Sequence, residues 1–324
     1  MQNKKQFDFV GKFKISLCIS LAIILIGAVI NIFFGTKLDI NFKGGSKITY
    51  SYTGDIDFDK AASVFETATG LKAKTSESQD YTTGVKSLVI TVVGEQAVSN
   101  DQAQKAADAL AKEFKDSKIT QTGMDSVAKT IGAEFFAKSL FALLIASVLV
   151  VIYVGLRFRR IGGTSAAITA LIALIHDVII VYFVNVIFRI PLDDNFIAVQ
   201  LTILGYSLND TIVIYDRVRE NDKIYGKSLS HKELVNLSIS QSFGRSVVTS
   251  LATFLSIMSV TVVAIFAGLD SILSFSLPMS IGVIAGSFSS IFIAGPLYVK
   301  WLEFKDKHFA KAEKKKVPEY ARKK

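Results

Sequence analysis

Few residues in this chain have the type and setting to do chemistry, and Asp210 is the foremost. It sits in Leu204-Gly-Tyr-Ser-Leu-Asn-Asp210-Thr-Ile-Val-Ile-Tyr-Asp216, inside an otherwise apolar run. A carboxylate at that depth in a membrane costs roughly 2.5–3.5 kcal/mol on insertion scales. Desolvation disfavours its charged form. A carboxyl group balanced between neutral and charged can load and release protons, which is what a proton-coupled transporter needs. The competing reading is a capped or water-reached carboxylate near the membrane interface. Arg245, in Gln241-Ser-Phe-Gly-Arg245, is the candidate partner, at the start of the next apolar run. At ~1.5 Å per residue, Asp210 lies about 9 Å from the end of its own run, a gap that an arginine covers in large part. The alternative for Arg245 is a snorkelling, orientation-setting cation. His176-Asp177 is a second intramembrane pair. Adjacent helical residues point about 100° apart, so the two do not face one partner equally. Asp177 is the favoured functional residue, and His176 is expected to hydrogen-bond a neighbouring helix. Tyr206, Ser207, Asn209 and Thr211 add polar groups around Asp210. Ser246, Thr249, Ser250, Thr253, Ser256 and Ser259 recur at steps of three to four residues. Small polar residues at that spacing read first as helix packing and second as a hydrated path, and Gly282-Val-Ile-Ala-Gly286 reads as packing too.

Other chemistries lack residues. There is no phosphate-binding GxxxxGK[ST] loop, because Lys43-Gly44-Gly45-Ser46-Lys47 has the wrong spacing, and there is no HExxH or GxSxG. One cysteine, Cys18, and three scattered histidines provide neither a disulfide framework nor a metal cluster. No enzyme activity and no cofactor are expected, only a coupling ion, H⁺ or Na⁺.

The elements that must position these residues are apolar. The chain has 324 residues, half of them hydrophobic and 20% charged. That length suggests about two domains at ~150 residues each. Lysines precede Ile15–Phe34, an uncharged stretch of 20 residues. It is long enough to cross a ~30 Å hydrocarbon core and has no A-x-A-like cleavage site, so 15–35 reads as an uncleaved signal anchor. Five further spans fall at about 136–156, 162–184, 196–215, 245–267 and 272–299, within 133–299. Between the first two spans, segment 36–132 carries 12 lysines and 13 acidic residues and reads as a folded domain. Its strand and helix signals run 47–53 (β), 58–69 (α), 71–75 (β), 87–93 (β), 99–115 (α) and 118–122 (β), the ferredoxin-like β-α-β-β-α-β order. Basic residues cluster in the N-terminus (1–14), at Arg157, Arg159 and Arg160, at 217–232, and in the tail (300–324). The positive-inside rule therefore predicts both termini cytoplasmic and the 36–132 domain extracytoplasmic. The net charge of +9 is then mainly a topology signal, with no nucleic-acid partner implied.

Four stretches resemble the SecD/SecF family of the resistance-nodulation-division (RND) superfamily. They are Leu38-Asp-Ile-Asn-Phe-Lys-Gly-Gly45, with Leu38 where the family has Gly; Ala173-Leu-Ile-His-Asp177; Gly205-Tyr-Ser-Leu-Asn-Asp-Thr-Ile-Val-Ile-Tyr-Asp-Arg-Val-Arg-Glu220; and Ser240-Gln-Ser-Phe-Gly-Arg-Ser-Val-Val-Thr-Ser250. The resemblance runs from about Phe7 to Trp301. It implies an α-helical polytopic membrane protein of the bacterial plasma membrane: an RND-type half-bundle of six spans with one ferredoxin-like α+β domain between the first two. It also implies a role in Sec protein export with a SecD-type partner, SecYEG and YajC, with SecA in the same pathway. Unfolded polypeptide and membrane lipid would be its other contacts. Asp210 and Arg245 would serve proton coupling, with Asp177 assisting. The competing readings are half of a proton-coupled RND exporter of small molecules or lipids, and a purely structural scaffold.

Overall fold

The computed structural model describes residues 7–79, 84–94 and 97–316. Helix α1 (Phe13–Phe34) is followed by the single-turn α2 (Ile40–Lys43). A small domain comes next: β1 (Gly45–Tyr52), α3 (Phe58–Thr69), β2 (Lys74–Gln79), β3 (Lys86–Val93), α4 (Asn100–Glu113) and β4 (Thr120–Val127). The chain then enters α5 (Lys129–Arg157), α6 (Gly163–Ile187), α7 (Asp194–Tyr225), α8 (His231–Phe266) and α9 (Asp270–Ser289). A π turn (Ser290–Ala294) joins α9 to α10 (Gly295–Lys316). Among the described residues, six helical rods are long and apolar enough to cross a membrane: α1, α5, α6, α7, α8 and Asp270–His308.

The domain's sheet is antiparallel with order β2-β3-β1-β4, the ferredoxin-like arrangement. Alternation along β1 turns Ile48, Tyr50 and Tyr52 inward, where they bury with Leu88, Ile90, Phe65 and Leu110 beneath α3 and α4. Asp57 caps α3, and Gly70 ends it in the left-handed conformation. Ser99 and Gln102 form the capping box that their spacing predicts for α4. Two strands differ from the sequence reading: β2 lies at 74–79 rather than 71–75, and β4 at 120–127 rather than 118–122. Both are sheet-edge strands with few apolar residues, so hydrophobic alternation gives their register no signal.

The joint between domain and bundle is built from the glycine-rich segment. Ile40 and Phe42 are buried, and the Phe42 ring lies 5.7 and 5.2 Å from those of Phe135 and Phe136 on α5. At Gly45 (φ +138°) a Cβ would sit 2.1 Å from the Val92 carbonyl oxygen, so only glycine lets β1 start there. The α6–α7 loop clasps the chain that leads into this joint. Leu192 N–H donates to Lys37 O (2.9 Å), and Asp39 N–H donates to Leu192 O (3.0 Å). Arg189, itself left-handed (φ 58°), donates to Gly35 O at 2.7 Å, and the Asn41 amide donates to Asp194 at 3.2 Å.

At the other, basic end of the bundle, helices run past their apolar runs. Helix α7 continues to Tyr225 rather than 215, and α8 begins at His231 rather than 245. The Ser230–Glu233 capping box starts α8, and the pairs Arg217–Glu220 and Arg219–Asp216 support the end of α7, so charged residues extend both helices where hydropathy falls. Residues 7–12 fold against this extension. Phe9 is buried, 5.6 Å from the Phe243 ring, and Val10 N–H donates to Asn236 Oδ1 (3.0 Å). Asp8 accepts from Lys232 Nζ at 2.7 Å and Gly11 N–H at 2.8 Å. The Lys232 bond first, then the Gly11 N–H, hold the Asp8 carboxyl down at about 2. A carboxyl lowered by folding contributes stability above its unfolded value of about 3.9, and that contribution is lost as pH falls through the folded value. A spin label at residue 7 should therefore stay immobilised above about pH 4 and gain mobility towards about pH 2. Asp8→Asn should abolish that pH step.

Candidate functional site

A polar layer separates two apolar cores in the bundle. Towards the domain, Val181, Phe196, Ile203, Met279 and Val283 pack with Phe42. Towards the basic end, Ala166, Ala170, Ile214, Tyr215, Val235 and Tyr298 form the other core. Between them lie Asp177 on α6 and Asp210 on α7, both buried.

Asp177 is completely buried and fully engaged. Its Oδ2 accepts from Ser207 Oγ on α7 (2.5 Å) and from Ser289 Oγ on α9 (2.8 Å). Its Oδ1 lies 2.9 Å from His176 Nδ1, and the far ring nitrogen of His176 lies 3.0 Å from Ser20 Oγ on α1. One carboxylate thus joins four helices. Asp210 sits one turn beyond Ser207 on the same face of α7. Its Oδ2 accepts from Ser250 Oγ on α8 (3.1 Å), and that hydroxyl accepts from Tyr206 Oη (3.2 Å). The Ser287 hydroxyl of α9 lies beside the same carboxylate. Between the two acids, Ser290 donates to Ser207 O (3.1 Å) and so accepts from Thr211, 2.8 Å away.

Two local devices bring α9 this close. Gly286 has no side chain against Ser207, where a Cβ would lie 2.9 Å from the serine Cβ. Gly282 does the same against Ile203, at 2.6 Å, so the Gly282–Gly286 pair packs as its spacing predicts. The π turn follows at Ser290–Ala294, just before Pro296. A proline within a helix provides no N–H and crowds the preceding turn. The widened turn absorbs that, and the two serines where it begins bond different helices, Ser289 to Asp177 on α6 and Ser290 to Thr211 on α7.

The arrangement suits proton transfer: buried carboxyl groups, hydroxyls that donate or accept by rotating, and no metal-ligand cluster among the described residues. The profile of the family described as "Protein export membrane protein SecD/SecF, C-terminal" matches residues 106–304. The chain belongs to the SecD/SecF protein-export family. It is 32% identical over 304 residues to the protein translocase subunit SecF of Petrotoga mobilis, covering 90% of this chain and 95% of that one. It is 31% identical to the protein translocase subunit SecDF of Bacillus subtilis over 92% of its own length but only 38% of that protein. The crystal structure of SecDF from Thermus thermophilus, a translocon-associated membrane protein, superposes with a TM-score of 0.76 at 27% identity. That match covers 94% of this chain and 40% of the SecDF chain. The family membership and the six rods make this a multi-pass cell-membrane protein with an RND-type bundle.

The sequence-derived residues divide. Asp177, His176, Asp210, Tyr206 and Thr211 meet in the polar layer, and His176 bonds a neighbouring helix as expected. Asn209 is exposed, and its side chain makes no hydrogen bond among the described residues. Arg245 also differs from expectation: it lies inside α8 rather than at its start, is exposed, and forms no ion pair with Asp210. Its charge acts on Asp210 only at a distance. The stripe on α8 splits as well. Ser246 and Ser250 are buried, whereas Thr249, Ser256 and Ser259 are exposed and Thr253 partly so. All four outward hydroxyls bond back to the helix's own carbonyls. Ser20, Ser287, Ser289 and Ser290 carry the site but gave no distinct signal, since isolated serines are ordinary in packed membrane helices. The cluster Gly286-Ser-Phe-Ser-Ser290 ahead of Pro296 was the one available cue.

Asp177→Leu would strand the donors of Ser207, Ser289 and His176. At about 1–3 kcal/mol per buried unsatisfied group, it should lower the detergent-solubilised thermal midpoint by several degrees. Asp177→Asn, which keeps an acceptor, should lower it less.

Proposed function

We propose that this chain acts with a SecD-type partner in bacterial Sec protein export, using the proton motive force to move its ferredoxin-like domain so that translocating polypeptide does not slide back. The observation that carries this reading is the pair of buried carboxyl groups, held by hydroxyl donors, on two helices whose connecting loop clasps the segment leading into the domain's first strand. No basic side chain pins Asp210 among the described residues. When its carboxylate gains a proton, the group changes from acceptor to donor. Ser250 and Tyr206 must then reorient, and the α7–α8 contact repacks. Helix α7 begins at the clasp, where Leu192, Arg189 and Asp194 hold residues 35–41, so a shift of α6 and α7 is delivered to β1. Orphan polar atoms of Asn185, Gln200 and Ser246, buried on these helices, leave hydrogen-bonding capacity for the water a proton path needs.

Orientation follows the basic residues: both termini in the cytoplasm and the domain outside. The uncovered α8 face, with Arg245, Thr249, Ser256 and Ser259, fits a membrane-embedded partner better than lipid, and a SecD-type half is that partner. SecYEG, YajC and SecA belong to the same pathway. One proton moving down ~100 mV releases about 2.3 kcal/mol, enough to bias domain positions that differ by a few kcal/mol.

Export into inverted membrane vesicles under separately imposed proton and sodium gradients tests the reading. Proton-gradient stimulation should be lost in Asp210→Asn while the variant inserts and assembles normally. Unimpaired stimulation in that variant, or stimulation by sodium alone, would refute proton coupling through Asp210. Arg189→Gly keeps the left-handed turn and removes the bond to Gly35. It should weaken the gradient-stimulated part of export and leave gradient-independent export unchanged.

A further inference from the structure

The turn between α5 and α6 holds three arginines, of which two are engaged by α7. Arg157 Nη2 lies 3.2 Å from Asp216, and Arg160 Nε lies 3.9 Å from Asp222. Arg159 is exposed and has no acidic partner among the described residues. It stands at the end of a furrow of about 540 Å³ between α5 and α6. Val151, Ile152, Gly155 and Leu156 form the apolar length of this furrow, and Thr164 joins Arg159 at its polar end. Glycine makes the furrow. Gly163 comes so close to α5 that a Cβ would sit 2.1 Å from Gly155 O, and Gly155 adds no side chain of its own. Helix α6 opens at the same end with Gly162 as its N-cap, no side-chain cap and no acidic residue in its first turn. The positive end of its dipole is therefore uncompensated. Ser165 Oγ, fully buried and without a hydrogen-bond partner among the described residues, lies 3.6 Å from where a Gly162 Cβ would be.

We infer that this furrow binds an anionic phospholipid, with an acyl chain along the apolar length and the phosphate held by Arg159, Thr164 and the first turn of α6. Ile152 and Leu156 are 52% and 54% exposed on a helix that a membrane must surround, so an acyl chain has direct access. Charge selects the headgroup. The nearby carboxylates are already engaged, Asp216 by Arg157 and Arg219 and Asp222 by Arg160, so none is free to receive the ammonium of a zwitterionic lipid. A free phosphate would leave the apolar length unfilled. Basic pockets between membrane helices hold anionic headgroups by this combination of charge and groove.

Trp301 is the sole tryptophan of the sequence. It adjoins Leu302, whose Cδ2 lies 3.8 Å from the Gly162 Cβ position. The full chain, reconstituted in phosphatidylcholine bilayers, can therefore be titrated with brominated phosphatidylglycerol or brominated phosphatidylcholine while Trp301 quenching is followed. Phosphatidylglycerol should be preferred by about five-fold, the equivalent of one cation near the surface. Arg159→Gln should bring the preference close to unity. Gly155→Leu fills the furrow from a position where a Cβ meets only Ala167 at 3.8 Å, and should also reduce it. Lys223→Gln, an exposed cation elsewhere at the same end, should leave it intact. Equal quenching by both lipids, a preference that survives Arg159→Gln, or one lost equally in Lys223→Gln would overturn the site.

Discussion

An ionisable carboxyl group inside a membrane must have partners or be neutral, and the centre of this bundle is organised by that requirement. Asp177 is held by hydrogen-bonding groups of its own neighbour, α7 and α9, and is tied through His176 to α1. To bring serine hydroxyls within reach, helices have to approach more closely than leucine-sized side chains allow. Gly282 and Gly286 provide that approach, Ser287 and Ser289 serve the two different acids, and the π turn before Pro296 sets Ser290 against α7. The apolar cores on either side then pack around a layer whose geometry is already set.

The consequence for energetics is a bundle with two kinds of cohesion. The apolar cores hold by burial, which is non-directional. The polar layer holds by directed bonds between hydroxyls and acids, which are sensitive to the position of a single proton. A structure divided in this way keeps its fold while one layer changes its bonding. The clasp of residues 35–41 on the α6–α7 loop connects that layer to the sheet, because the helices bearing both acids meet at the loop that grips the strand's lead-in.

Much of this was written in the sequence, because membranes impose strong patterns. Six charge-poor runs gave six spans, and the two intramembrane acids were conspicuous for the cost of their burial. The β-α-β-β-α-β order was legible from capping residues and from the alternation of β1 and β3, while the polar edge strands β2 and β4 were misplaced by a few residues. The ends of α7 and α8 were misjudged for a physical reason: hydropathy marks where a helix leaves apolar surroundings, not where it ends. Helix α8 begins at His231 and α7 continues to Tyr225 on capping, ion pairing and the burial of Val218, Leu234 and Val235. Serine contacts were illegible because a serine that packs and one that holds a buried acid look alike until the facing helix is placed.

The outward face of α8 bears on how the cell must make this protein. A copy alone in the bilayer presents Arg245 and a line of hydroxyls to hydrocarbon, the hydroxyls masked only by bonds to their own helix. Such a surface marks an orphan subunit: it offers membrane proteases and insertion chaperones the polar signal by which unassembled helices are recognised. Surplus copies would be removed, so the amount that accumulates would be set by how much complementary surface is synthesised alongside it. Matched expression would then be a requirement built into one helix face.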